Sequence, residues 1–121
     1  MRLRAFLLVL LFISIVLPLP THGDSEDCAD ALPTRLAVGR PARLTSPGSF
    51  GLRLYENPGE HSHQEAFLGN GTALTVVGGP TCADSVRWWQ VRTRTGVAGW
   101  ISESDGMVYQ LEPWALVTET R

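Results

Sequence analysis

From Ser46 to Gly106 the chain meets a turn signal every few residues. Ser46-Pro47-Gly48, Asn57-Pro58-Gly59, Gly69-Asn70-Gly71, Gly78-Gly79-Pro80, Thr95-Gly96 and Asp105-Gly106 each break the backbone. None of the intervals between them shows a sustained 3.6-residue period. They are rich in Val, Leu, Thr and Trp, which favours extended chain. The pattern predicts strands near Leu36–Val38, Ala42–Thr45, Leu52–Tyr55, Ala73–Val77, Val86–Arg94, Gly99–Ser102 and Val108–Leu111. Twelve Gly and eight Pro in 121 residues fit many turns and no long element. The fold class expected is all-β, a small barrel or sandwich, with no internal repeat. One core is all that this length accommodates.

The first 23 residues read differently. Arg2 and Arg4 precede an unbroken apolar run from Ala5 to Leu17, which Pro18 and Pro20 end. The run falls short of the roughly 18 residues of a comfortable bilayer span. A basic start, a short apolar stretch and small residues after it describe a signal peptide over 1–23. An uncleaved N-terminal anchor is the alternative. Ser25-Glu26-Asp27 before Cys28 is unlike a lipidation site. Residues 24–35 form a polar N-terminal arm, and 114–121 a C-terminal tail after Pro113.

Export makes the two cysteines informative. An even count in an oxidising compartment favours a bridge between Cys28 and Cys82, a structural staple between arm and domain. A free reactive thiol is the rival reading, and no CxxC supports it. All ten basic residues are Arg, so Schiff-base and lysine-base chemistry are excluded. Loss of Arg2 and Arg4 takes the formal net charge from −2 to −4. An acidic product of this kind is a poor partner for nucleic acid or for anionic membranes.

The segment Val86-Arg87-Trp88-Trp89-Gln90-Val91-Arg92 carries the most information. Alternation puts Trp89 and Val91 on one face and Trp88, Gln90 and Arg92 on the other. Val91 assigns its face to the core, so Trp89 is read as core and Trp88 as nearer the surface. Thr95-Gly96 then forms a tight hairpin to Gly99-Trp100-Ile101, with Gly99 marking a close backbone approach.

One ordered set of motifs has a family likeness. Leu52-Arg53-Leu54, Asn57-Pro58-Gly59, Leu68, Gly71-Thr72, Leu74-Thr75-Val76, Gly79-Pro80, Trp88-Trp89-Gln90-Val91, Gly96 and Gly99-Trp100-Ile101-Ser102-Glu103 follow one another. Together they resemble the bacterial Src-homology-3-type domain, over about residues 36–113. The nearest likeness is to a secreted variant with Gly79-Pro80-Thr81-Cys82-Ala83-Asp84, the Trp-Trp strand and a terminal Leu111-Glu112-Pro113. The resemblance implies a five-stranded barrel at 36–113 led by a disulfide-tethered arm, and it supports the Cys28–Cys82 pairing. It also implies an aromatic groove for a peptide or wall fragment. The segment His63-Gln64-Glu65-Ala66-Phe67 departs from the pattern, with Phe67 the expected core substitute.

Tyr55, Trp88, Trp100 and Tyr109 are the candidate ligand-binding residues, because flat aromatic faces suit sugar rings and extended peptides. His61 and His63 lack a firm third ligand and are read as a polar loop, so no metal is assigned. Glu103 and Asp105 lie two apart along what reads as one exposed turn, not across a cleft as glycoside hydrolysis needs. No nucleophile elbow is present, since Gly48-Ser49-Phe50-Gly51 has the wrong spacing. Asn70-Gly71-Thr72 fits a glycosylation acceptor and is read as a hairpin turn. The expected protein is a non-catalytic, extracytoplasmic, monomeric binding module without a cofactor. Its expected partner is cell-wall peptidoglycan, with an envelope protein as the alternative, and its only expected membrane contact is through the export signal.

Overall fold

The structure is a computed structural model, described over residues 28–114. The expected signal peptide, the start of the expected arm and residues 115–121 lie outside the described residues. Seven strands follow one another: β1 (Pro41–Leu44), β2 (Gly51–Tyr55), β3 (Gln64–Gly69), β4 (Ala73–Ala83), β5 (Val86–Thr93), β6 (Ala98–Ser102) and β7 (Leu111–Pro113). They form one antiparallel sheet in the order β3-β2-β6-β5-β4-β1-β7. The all-β class is as expected. The ladder does not close into a barrel, and β3 and β7 remain its edges.

One face of the sheet makes the core. Ala42 and Leu44 of β1, Leu54 of β2, Leu74 and Val76 of β4, Trp89 and Val91 of β5, Ile101 of β6 and Leu111 of β7 are buried together. Period-two alternation accounts for this set, because each partner on the opposite face is less apolar or covered separately. Leu36 joins the core from the arm, although Leu36–Val38 is not a strand. Gly39 N donates to Val76 O there, and Val76 N donates to Arg40 O.

Two turns differ from the sequence reading. Asp84 and Ser85, both at positive φ (52° and 61°), link β4 to β5 without a glycine. Two central residues at positive φ match the right-handed twist of paired strands. At Asn70-Gly71-Thr72 the chain does turn, with Gly71 at φ 84°, but β3 and β4 do not pair. Gly71 N donates to Leu44 O and Leu44 N to Thr72 O, so the turn joins β1 instead. It is a corner between distant strands and not a hairpin. Asn70 fixes the corner: its Oδ1 accepts from Ser46 N, and its Nδ2 donates to the Ser46 and Ser49 carbonyls.

The strand β3 was not legible beforehand, and its register reverses one expectation. Ala66 and Leu68 pack against the core, while Phe67 points outward and is 55% exposed. Phe67 therefore does not replace the missing core residue. Gly99 behaves as anticipated. A Cβ there would lie 2.7 Å from both Leu54 Cγ and Tyr55 O, so β2 and β6 meet only because the side chain is absent.

The arm is tethered as expected. Cys28 and Cys82 form a disulfide with a Cα–Cα distance of 5.5 Å across 54 residues of chain. Such a bridge is consistent with an oxidising, extracytoplasmic compartment. Among the described residues no helix is long and apolar enough to cross a membrane.

Candidate functional site

The Tyr55 and Trp88 side chains meet on the sheet face opposite the core. Their ring centroids are 5.8 Å apart at 76°, an edge-to-face contact. Trp88 was expected nearer the surface; it is 3% exposed. Its position is still on the non-core face, opposite Trp89, but the end of β4 and Tyr55 cover it. Its Nε1 donates to Ala83 O at 3.0 Å, which satisfies the one polar atom so buried.

These two rings floor a shallow groove of about 260 Å³, with Leu52, Phe67, Glu60 and Ser102 along its sides. A second hollow of about 250 Å³ shares Leu52, Glu60, Trp88 and Ser102, and extends to Asp84, Asp105 and Gln110. The groove has an aromatic floor, Arg53 and Glu60 on its rim, and further acids in the adjoining hollow. Asp105 Oδ1 accepts from Met107 N and Val108 N, and these two bonds, led by Met107, hold its carboxyl below the ordinary carboxylate value. Asp84 Oδ2 accepts from Glu60 N at 3.5 Å, and its Oδ1 lies 3.7 Å from His61 Nε2. His63 contributes a backbone carbonyl to Glu56 N. Among the described residues no cluster of three His, Cys, Asp or Glu side chains has metal-binding geometry.

The other two aromatic candidates do not line this groove. Trp100 pairs with Tyr55 across β2 and β6 and is half-buried over the bend of β4. Its Cζ3 would lie 3.3 Å from a Cβ on Gly79, and the Gly79–Pro80 peptide is cis. Tyr109 belongs to the arm: its hydroxyl donates to Pro33 O at 2.5 Å, and the Arg35 guanidinium sits 3.6 Å from its ring centroid. Two of the four predicted aromatics thus share one groove.

Glu103 is the residue that the sequence reading misplaced. It is 1% exposed, not part of an exposed turn. Its Oε1 accepts from Arg35 N at 2.8 Å and Thr34 Oγ1 at 3.1 Å. Its Oε2 accepts from Trp89 Nε1 at 2.9 Å and faces Arg87 Nη1 at 4.0 Å. Arg87 Nη1 in turn donates to Leu32 O, and Arg35 Nη2 to Leu111 O. One carboxylate thus joins a partly buried arginine and ties the arm to the core indole.

Compared with known proteins, the chain matches no family model, no curated protein and no solved structure.

Proposed function

We propose that the chain is an exported, non-catalytic binding module of the bacterial Src-homology-3 type that holds cell-wall peptide or glycan in the groove above Tyr55 and Trp88. The observation that carries this reading is that groove, with its paired aromatic floor, apolar Leu52 and Phe67, and acids in the adjoining hollow. A shallow, open trough of this kind suits an extended chain more than a compact small molecule. The barrel assignment is part of the same proposal. It rests on the ordered motifs and on the strongly bent β4, whose pairing with β5 shifts register between Val76 and Thr81. The export assignment rests on the leader and the disulfide.

The test is co-sedimentation of the protein with purified peptidoglycan sacculi. Trp88 is buried, so Trp88→Ala tests folding more than binding. Phe67→Ser and Glu60→Arg change exposed groove walls and leave the core intact. Retention on sacculi that falls several-fold in both variants, with an unchanged melting temperature, is the expected result. Absence of retention on every preparation would sink the wall reading.

The second reading, a protein-interaction module of the envelope, has one observation in its favour. The edge strand β3 carries Phe67 outward, and Phe50, 93% exposed, stands beside its end. An unpaired edge with exposed apolar side chains accepts a partner strand.

A further inference from the structure

Away from the aromatic groove, the same non-core sheet face carries a second trough. Strand register builds it. Pro41 pairs with Thr75, and Thr75 with Arg92; Arg43 pairs with Ala73, which Arg94 follows by the same register. At the other end Arg43 pairs with Glu112, and Trp114 N donates to Pro41 O at 3.1 Å. The result is a floor of small side chains, Pro41, Ala73 and Thr75, with Trp114 on one side and Arg92 and Arg94 on the other. The Arg94 guanidinium is 5.8 Å from the Trp114 ring centroid across the gap. Beyond Trp114 a larger hollow of about 560 Å³ continues past Pro41 to Arg40 and Arg35. No residue of these hollows lines the groove above Tyr55 and Trp88.

The charges lining these hollows lack acidic partners, and Arg94 rests over the Trp114 ring. Arg43 is paired with Glu112, and Arg35 is held by Tyr109 and Leu111 O. Arg40, Arg92 and Arg94 have no ion pair among the described residues, and no acid lines either hollow. Three acids, Glu60, Asp84 and Asp105, line the other groove and its extension. Three unpaired guanidiniums around one indole ring combine two kinds of recognition. Guanidinium binds carboxylate or phosphate through paired N–H donors. An indole face offers a flat apolar platform for a sugar ring.

We propose that the trough around Trp114 is a second binding site, and that its ligand is an acidic saccharide. A pyranose ring stacks on Trp114 and its anionic group meets Arg92 and Arg94, with Arg40 taking the next charge along the chain. Neither half explains the site alone. A bare polyanion has no use for the indole, and a neutral glycan has none for the arginines.

The experiment uses the purified protein and three probes: an oligogalacturonate, a neutral maltooligosaccharide of equal length and inorganic polyphosphate. Oligogalacturonate is expected to bind, with affinity falling steeply as salt rises. Arg92→Ala with Arg94→Ala lowers that affinity by about tenfold or more, as loss of charged hydrogen bonds does, and Trp114→Ala lowers it several-fold. These side chains lie outside the core, so the melting temperature stays put and reports folding. Phe67→Ser leaves the binding unchanged, which separates this site from the wall groove. Polyphosphate that binds as tightly as oligogalacturonate, with no effect of Trp114→Ala, would overturn the saccharide assignment. So would equal binding of the neutral oligosaccharide, or no binding of the oligogalacturonate.

Discussion

A buried carboxylate is costly unless donors surround it, and Glu103 has donors at both oxygens. The arrangement works in one direction only. Truncation to Ala leaves the Trp89 indole N–H and the Arg35 amide without acceptors, and Arg87 with less compensation. Glu103→Ala is therefore expected to destabilise the fold by about 3–5 kcal/mol, measured by urea unfolding. Asp105 makes the opposite kind of contribution, small and exposed. Its carboxyl is held low by the Met107 and Val108 amides, so ionised Asp105 stabilises its turn. That contribution is complete above the ordinary carboxylate range and disappears as pH falls through the lowered value. Melting temperatures of the protein and of Asp105→Asn are expected to differ at neutral pH and to converge in acid. Neither role was visible in the sequence, where both residues sit in a polar, turn-like run. Burial of Glu103 is set by an arm 68 positions away, and no local pattern encodes that.

At the level of elements, the arm is the one that the chain secures most heavily. The disulfide closes a loop of 54 residues, and three side chains, Glu103, Arg87 and Tyr109, bind the arm's backbone independently of it. In the chain-entropy account the bridge stabilises the fold by about 4 kcal/mol. Cys28→Ser with Cys82→Ser is expected to lower stability by that order, while the arm stays protected in hydrogen exchange because the polar contacts remain. Uniform exchange along the arm in this variant would show that the bridge alone holds it. The strands divide by how much of their burial is local. β5 and β6 were legible because Trp89, Val91 and Ile101 alternate cleanly and Gly96 marks their hairpin. β3 was hidden: Gln64 and Glu65 open it, and its apolar order places Phe67, its largest residue, in solvent. A propensity scan sees Phe67 as core, whereas pairing with β2 decides the face.

Across the whole molecule, the candidate surfaces divide by charge. Acids together with Arg53 edge the Tyr55–Trp88 groove and its extension, and arginines without acids edge the Trp114 trough, so a net charge of −2 describes neither. Composition averages over faces that the fold separates. The aromatic residues are plain in the sequence, but their distribution over the fold is not. Tyr55 and Trp88 reach a common groove through the pairing of distant strands, and Tyr109 is spent on the arm. The arm's attachment also bears on how the chain acquires its shape. Synthesis delivers residues 28–36 early, yet their acceptors and donors at Glu103, Tyr109 and Leu111 come 68 to 76 positions later. The arm meets Cys82 and Arg87 first, and its remaining contacts wait until nearly the last strand has emerged. Its attachment is thus completed late, when the beginning and the end of the domain are read together.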